Sequence, residues 1–332
     1  MKPIIIAEAG VNHNGSLETA LKLVDAAALS GADYVKFQTF KSDKIVTNTG
    51  KTADYQKENT KAVSQLDMLR RLELPYEDFR LIADRCRQNG IGFLSTPFDI
   101  ESIDFLASLN MDFMKVPSGE ITNLPYLRRI AQLKLPIILS TGMCTLADVE
   151  NALQVLYDGG VSRNDITVLH CNTQYPTPYS DVNLKAMVTM REAFGVDVGY
   201  SDHTPGIVVP IAAVALGATV IEKHFTLDKT MDGPDHIASL DPDELSEMVR
   251  GVRHVSMALG SPLKRVTASE RKNMTAARKS IVASANIKKG EVFSEDNLTV
   301  KRPGNGISPM HWDSVIGRTA LKSYHPDDLI EI

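Results

Sequence analysis

The chain has 332 residues, with 36 lysines and arginines against 41 aspartates and glutamates, for a formal net charge of −5. A charge this close to neutral, without a long basic run, excludes electrostatic binding of nucleic acid. No stretch reaches the ~18 apolar residues of a membrane span, and nothing at the N-terminus is typical of a signal peptide. We therefore expect an enzyme-sized globular chain that binds neither nucleic acid nor membrane.

Short β-branched segments recur along the first 260 or so residues, each followed by a stretch of helical periodicity. They lie at 4–10, 34–40, 91–98, 112–118, 136–142, 166–172, 197–203 and 219–225. Eight strand–helix units predict an α/β fold, the (β/α)8 TIM barrel, in which the chemistry lies where the strands end. The first helix is predicted over 19–32 with a stop at Gly31, and Asp241 before Pro242 predicts another helix start.

Two regions depart from this rhythm. Residues 41–75 form a long polar connection after the second strand, and long loops at this face commonly carry function or act as lids. After the predicted barrel domain, 1–262, residues 263–279 predict a linker or a solvated helix. Residues 280–332 show the short strands and turns of a small β-rich domain. A domain of that size is marginal alone, so we expect it to pack on the barrel or on a partner subunit.

The cysteines Cys86, Cys144 and Cys171 are odd in number and lack CxxC spacing. This pattern favours neither a disulfide framework nor a structural zinc site, and it fits a reducing cytoplasm best. Cys171 is interpreted as a small packed residue, because no base is evident at a spacing that would activate it as a nucleophile. We expect a cytoplasmic protein.

Two histidines fall at neighbouring strand ends, His203 in strand seven and His224 in strand eight. Adjacent strands lie about 4.8 Å apart, so the two imidazoles can converge on one ion, with Asp202, Glu222 and Asp235 nearby. The alternative is that both are ordinary polar residues at the barrel rim, with their hydrogen bonds satisfied by the protein. We predict an exchangeable divalent cation, Mn or Mg, because two protein ligands leave positions for water and substrate.

Hydroxyl side chains gather at the strand ends around Lys115. Such a cluster suits a small phosphorylated carboxylate, because its oxygens need many donors and its charge needs a fixed cation. A hydroxyl beside a turn is also commonly only a cap. The predicted anion-binding hydroxyls are Thr96, Ser118, Ser140, Thr173 and Ser201.

Carboxylates form a third group at these ends. Glu8, Glu120 and Asp235 are candidates to accept hydrogen bonds from sugar hydroxyls or to orient an attacking water, although each also fits an ordinary loop acid. Lys36 and Gln38 on strand two face the same interior and are predicted to be structural hydrogen-bonding partners.

The segments EAGVNHNGS, VKFQTFK, STPFD, KVPSGEITNLPYL, ILSTGM, LHCNTQYPTP, VGYSDHT, VIEKHFTLDKTMDGPDH and VKRPGNGIS together resemble the sialic acid synthase family, most closely bacterial N-acetylneuraminate synthase. Each segment is weak alone, but nine in order across nearly the whole chain are specific. The tail resembles the family's antifreeze-like (SAF) domain. The resemblance implies condensation of phosphoenolpyruvate with N-acetylmannosamine and water, which gives N-acetylneuraminate and phosphate.

The resemblance also implies a role for each matching residue. It implies metal ligands at His203 and His224, and phosphoenolpyruvate contacts at Lys115, Ser118, Ser140, Thr96 and Ser201. Thr173 stands where some relatives have asparagine. Glu8 matches a carboxylate near the metal-bound water and the sugar, while Glu120, Tyr175 and Asp235 match sugar-side positions. Arg302 matches an arginine that one protomer's SAF domain places over the other protomer's site in a domain-swapped homodimer.

Other functions share parts of this pattern. Legionaminic and pseudaminic acid synthases, which use a diacetamido-trideoxy hexose, have the same motifs. A Schiff-base aldolase would use Lys115 or Lys223 as its nucleophile and need no metal. A non-catalytic sugar-binding module would bind sugar without releasing phosphate. We expect N-acetylmannosamine as the substrate, because the tail and the HCNTQYPTP stretch look closest to that branch.

Overall fold

The protein is described by a computed structural model that covers residues 2–47, 50 and 64–332. The chain forms two compact units, one that ends at Gly260 and one that begins at Ser261.

The N-terminal unit is built on a parallel sheet. Its strands are β1 (Ile4–Gly10), β2 (Tyr34–Thr39), β3 (Gly92–Pro97), β4 (Met114–Val116), β5 (Ile137–Ser140), β6 (Ile166–Cys171), β7 (Asp197–Asp202) and β8 (Val220–His224). The hydrogen-bonded order is β3-β2-β1-β8-β7-β6-β5-β4, and β3 also lies beside β4, so the sheet curves into a near-complete barrel. Each observed strand falls inside its predicted segment, and the TIM-barrel prediction is confirmed.

Helices follow the strands and cover the outside of the sheet. They span Leu17–Leu29, Ser42–Ile45, Gln65–Leu72, Tyr76–Asn89, Ile100–Ala107, Leu124–Gln132, Leu146–Asp158, Lys185–Phe194, Val208–Ala215 and Pro242–Leu259. The predicted stop after the first helix is confirmed at Gly31, which has a φ of +80°. The predicted start at Asp241 is a capping box, in which Asp241 and Glu244 each accept from the other's backbone N–H. Within the described ranges, no helix has the length and apolarity to cross a membrane.

The barrel strands begin apolar and end polar, yet both parts are buried. In β1, Ile5 and Ile6 precede Glu8, and all three are at most 1% exposed. In β5, Leu139 precedes Ser140, and both are buried. The apolar residues join the core that the helices cover, whereas the polar residues collect at the carboxyl ends of the strands.

The long connection at 41–75 is only partly described. Helix Gln65–Leu72 places Met68 and Leu72 in a small apolar cluster with Val11 and Phe40. The predicted lid falls largely on residues 48, 49 and 51–63, which lie outside the described residues.

The C-terminal unit is small and β-rich, as predicted. Strand β9 (Ser280–Ala283) pairs antiparallel with β10 (Leu298–Lys301). Phe293 and Tyr324 pack in a separate core with the strand residues. Helix Ala268–Ala277 precedes the strands without a buried residue, and a short helix spans Trp312–Val315.

Candidate active site

A cavity of about 180 Å³ lies at the carboxyl ends of the barrel strands. Every barrel strand contributes a side chain to it, which is the arrangement expected of this fold. The polar residues that line it are Glu8, Lys36, Gln38, Thr96, Lys115, Ser118, Ser140, Cys171, Thr173, Tyr175, Ser201, His203, Glu222 and His224. These include all the predicted site residues except Glu120, Asp235 and Arg302.

Two lysines and two carboxylates form a buried cluster in the cavity. Lys36 Nζ lies 2.7 Å from Glu8 Oε2 and 3.7 Å from Glu222 Oε2. Lys115 Nζ lies 3.8 Å from Glu222 Oε1. All four residues are at most 4% exposed, so each charge depends on the others for compensation. The cluster carries two positive and two negative charges when fully ionised, and it is therefore neutral overall.

The cluster shifts the pKa values of its two carboxyl groups, Glu8 and Glu222, in opposite directions. Burial raises the pKa of Glu8 to about 7, and the neighbouring Glu222 adds to this rise while Lys36 opposes it. Burial also acts to raise the pKa of Glu222, but Lys115 and Lys36 outweigh it and hold this pKa below its usual value. Glu8 is therefore the member of the pair that exchanges a proton near neutral pH.

The lysines fix the polarity of two hydroxyl groups. Lys36 Nζ donates to Thr96 Oγ1 at 2.8 Å, and Lys115 Nζ donates to Ser140 Oγ at 2.7 Å. Because an ammonium group only donates, each hydroxyl oxygen is the acceptor and keeps its own hydrogen available. Both hydroxyls line the cavity and can donate to an anion there.

Ser118 is held in the same way by a backbone amide. Its Oγ accepts from Gly142 N at 2.9 Å and lies 3.3 Å from Cys171 Sγ. A Cβ at position 142 would come within 2.6 Å of Thr173 Cγ2 and 2.9 Å of Ser118 Oγ, so this close approach requires glycine. Burial raises the pKa of the Cys171 thiol, which agrees with its interpretation as a packed residue and not a nucleophile.

The Ser201 hydroxyl acts as a donor within the protein, whereas those of Thr96 and Ser140 act as acceptors. Its hydroxyl donates to Glu222 Oε1 at 3.0 Å, so its hydrogen is already used within the protein. Sequence reasoning placed Glu222 only near the site and treated Lys36 as a structural partner, yet both belong to the charged cluster. The available signal was the two-residue period of β8, which puts Glu222 on the same face as His224.

The two histidines meet as predicted, with ring centroids 5.4 Å apart. His203 Nδ1 contacts the carbonyl oxygen of Asn172, which can only accept, so Nδ1 carries the hydrogen and Nε2 keeps its lone pair. His224 Nδ1 is buried without a hydrogen-bond partner among the described residues and lies 4.0 Å from Asp235 Oδ2. Burial lowers the pKa of His203 to about 4 and that of His224 well below its usual value, which keeps both rings neutral.

Neutral imidazoles with available lone pairs fit the predicted divalent cation. Within residues 2–47, 50 and 64–332, no three His, Cys, Asp or Glu side chains are grouped as a metal site. A cation at His203 and His224 would therefore take its other ligands from water and substrate. The ring of Tyr175 lies 4.0 Å from that of His203, centroid to centroid, and encloses this side of the cavity.

Three predicted site residues lie outside the cavity lining. Glu120 Oε2 accepts from Asn123 Nδ2 at 2.6 Å in the turn that follows β4. Asp235 is buried, and this burial raises its pKa to about 6. Arg302 belongs to the C-terminal unit, where its Nε donates to the carbonyl of Ala277 at 3.0 Å. Its role in a partner's site stays a prediction.

Only one of the two lysines considered for Schiff-base chemistry lines the cavity. Lys115 does so, whereas Lys223 is fully buried in an ion pair, with Nζ 2.6 Å from Asp202 Oδ2. An ammonium group held in this way is not placed to attack a substrate in the cavity.

Comparisons with known proteins agree with this geometry. The NeuB family profile matches residues 23–264, and the SAF domain profile matches residues 278–331. An N,N'-diacetyllegionaminic acid synthase of Campylobacter jejuni is 54% identical over 330 residues, which cover 99% of this chain and 99% of that one. Another, from Legionella pneumophila, is 48% identical over 320 residues, 96% of this chain and 90% of that one.

A solved structure points to the same family. The N-acetylneuraminic acid (sialic acid) synthetase of Leptospira borgpetersenii aligns with a TM-score of 0.74 and 32% identity, over 82% of this chain and 90% of that one. The predicted family is thus confirmed, although the higher identities are to legionaminic acid synthases and not to the N-acetylneuraminate branch that we expected. The chain belongs to the NeuB family, the metal-dependent synthases that condense phosphoenolpyruvate with an acetamido sugar to make nonulosonic acids.

Proposed function

We propose that this enzyme condenses phosphoenolpyruvate with a 2,4-diacetamido-trideoxy hexose and water, giving N,N'-diacetyllegionaminic acid and phosphate. The observation that carries the proposal is the 54% identity, over 99% of both chains, to a synthase of that name. The sugar differs from N-acetylmannosamine by a second acetamido group and by a methyl group in place of the terminal hydroxymethyl. The reaction chemistry at the aldehyde end is the same for both.

Phosphoenolpyruvate binds, in this proposal, at the lysine and hydroxyl side of the cavity. Lys115 and Lys36 supply the positive charge, and the hydrogens of Thr96 and Ser140 remain free to donate. Ser118, whose Oγ accepts from Gly142 N and lies 3.3 Å from Cys171 Sγ, is a third hydroxyl on this side. Donors fixed in advance in a water-poor cavity stabilise charge without reorganising during the reaction. Ser201 acts through Glu222, because its own hydrogen is already donated to that carboxylate.

The condensation joins the methylene carbon of phosphoenolpyruvate to the aldehyde carbon of the open-chain sugar. The carbon that bears the phosphate becomes electron-poor, takes up water, and loses phosphate by carbon–oxygen cleavage. The aldehyde oxygen gains one proton. The attacking water, whose oxygen becomes the ketone oxygen of the product, loses two protons, one to balance the aldehyde oxygen and one that leaves with the phosphate. Glu8 is suited to move these protons, because its pKa is about 7 and it lines the cavity.

His203 and His224 would hold the divalent cation through their neutral rings. When bound, the cation supplies Lewis acidity that polarises the aldehyde oxygen of the sugar. The sugar then lies on the histidine side of the cavity, where Tyr175 and the buried Asp235 are the nearest of the predicted sugar-side residues. Glu120 caps a turn and is a weaker candidate for sugar contact.

The acceptor sugar is tested by measuring phosphate release from phosphoenolpyruvate with Mn²⁺. Parallel reactions contain the 2,4-diacetamido sugar, a stereoisomer of it, or N-acetylmannosamine. We expect the highest kcat/KM with the first sugar and loss of release in excess chelator. Faster release with N-acetylmannosamine would assign the enzyme to the sialic acid branch. Absence of release with every sugar would refute the condensation.

We further propose that the enzyme is a domain-swapped homodimer in which the partner's Arg302 completes each site. The test mixes two inactive variants, Arg302→Ala and His224→Asn, under conditions of subunit exchange. Half of the random dimers are mixed, and each has one intact site, so activity should recover to about a quarter of the wild-type value. Absence of recovery, with exchange verified by mass spectrometry, would refute the shared site.

A further inference from the structure

The backbone pairing between β7 and β8 stops one residue before the two histidines, so it does not include them. Its last pair is Asp202 with Lys223. His224 is the final residue of β8, but His203 lies beyond the end of β7. The backbone ladder alone therefore does not fix the separation of the two rings.

A side-chain cluster continues the connection where the ladder stops. Lys223 Nζ lies 2.6 Å from Asp202 Oδ2 and also donates to the carbonyl oxygen of Thr204. Thr204 in turn donates two hydrogen bonds to the Asp202 carboxylate, from its backbone N at 3.1 Å and from its Oγ1 at 3.0 Å. The residues on both sides of His203 are thus tied to the residue that precedes His224.

The cluster is buried and separate from the cavity. Asp202, Thr204 and Lys223 are each 0% exposed, and none of them lines the cavity. A buried ion pair adds little net stability, because desolvation offsets the attraction. Its geometry is nevertheless strict, since a misplaced partner leaves a charge uncompensated in a dry environment. Such a pair is well suited to fix a position.

We propose that the Asp202–Thr204–Lys223 cluster is a positioning device that sets the separation of His203 and His224 and thereby the affinity for a divalent cation. The inference rests on the proposed metal site. Groups that orient metal ligands typically change metal affinity by about 10–100-fold when they are replaced.

The test is Mn²⁺ affinity, measured from the paramagnetic resonance signal of free Mn²⁺ without substrates. Asp202→Asn combined with Lys223→Met removes both charges and leaves neither unpaired, so this variant is expected to fold. We expect its Kd for Mn²⁺ to rise about tenfold. The matched control is Asp33→Asn with Arg253→Met, which removes another ion pair, of 2.5 Å, away from the cavity and should leave this Kd unchanged.

Thr204→Val gives a second test without any change of charge. It removes one hydrogen bond, and we expect about a threefold rise in the Kd for Mn²⁺. A folded double variant with wild-type Mn²⁺ affinity would overturn the proposal. If the double variant does not fold, wild-type affinity in Thr204→Val would overturn it.

A readout without metal separates this inference from the proposed function. In the metal-free protein, the ring ¹⁵N resonances of His203 report its tautomer and its bond to Asn172. We expect these resonances to shift in the double variant and not in the control. If wild-type protein and His224→Asn bind Mn²⁺ equally, the proposed metal site is wrong, while unshifted His203 resonances would overturn the positioning role itself.

Discussion

Replacing Lys115 by methionine tests the anion-binding side of the cavity most directly. The methionine keeps most of the side-chain length but removes the charge that lies 2.7 Å from Ser140 Oγ and 3.8 Å from Glu222 Oε1. Glu222 still has Ser201 at 3.0 Å and Lys36 at 3.7 Å, so the variant does not leave a buried charge without a partner. We therefore expect the protein to fold. Its free energy of unfolding should fall by less than the roughly 3–5 kcal/mol that breaking a buried ion pair costs.

The effect on ligand binding should be larger. A hydrogen bond to a charged group contributes about 1.5–3 kcal/mol, which corresponds to about 10–150-fold in affinity. Ser140 also loses the donor that fixes its polarity, and its hydrogen becomes less reliably directed at the anion. We expect the Kd for phosphoenolpyruvate to rise by about 40-fold, the middle of that range in free energy.

Isothermal titration with phosphoenolpyruvate alone measures this Kd, because no turnover occurs without the sugar. The matched control is Lys185→Met, which removes an exposed cation from a helix outside the cavity and should leave the Kd unchanged. A Lys115→Met protein that is folded and binds phosphoenolpyruvate within about threefold of wild type would refute the assignment of Lys115 to the anion.

Three further predictions follow from other contacts. Gly142→Ala should weaken phosphoenolpyruvate binding by about tenfold or more in the same titration, because its Cβ would lie 2.9 Å from Ser118 Oγ. Burial acts to raise the pKa of Asp33, but hydrogen bonds, first that from Arg253, hold it below 3.8, so its contribution to stability is present above that pH and lost as pH falls. The difference in unfolding free energy between wild type and Asp33→Asn should therefore shrink from pH 6 to 3. Burial raises the pKa of Cys86 to about 12, so this thiol should resist a thiol reagent at pH 8 until the chain is unfolded in urea.

Each of these has a clear contrary result. Unchanged phosphoenolpyruvate affinity in Gly142→Ala would show that Ser118 does not contact the anion. A difference for Asp33→Asn that is independent of pH would exclude ionisation of this carboxyl as its source. Labelling of Cys86 in the native protein, located by peptide mass spectrometry, would show that its helix opens readily.

The sequence motifs predicted the acceptor sugar less well than any other feature. Most of the motifs that identify the family lie at the barrel strand ends around the phosphoenolpyruvate and aldehyde chemistry, which all these synthases share. The groups that distinguish the sugars are at the other end of the acceptor. Those motifs therefore favoured N-acetylmannosamine without a contact that selects it, whereas identity over the whole chain favours the diacetamido sugar.

The sequence by itself determined the barrel, its capped helices and the set of strand ends that meet in the cavity. Local chemistry suffices for these features, because apolar runs of strand length, helical periodicity and caps such as Asp241 act over a few residues. Only the tertiary structure decided which polar groups pair. Closure of the barrel brings Lys36 between Glu8 and Glu222, turns Ser201 toward Glu222, and leaves Glu120 in a turn. A two-residue period fixes the face of a strand on which a side chain lies, but the partner across that face depends on how distant strands are arranged in space.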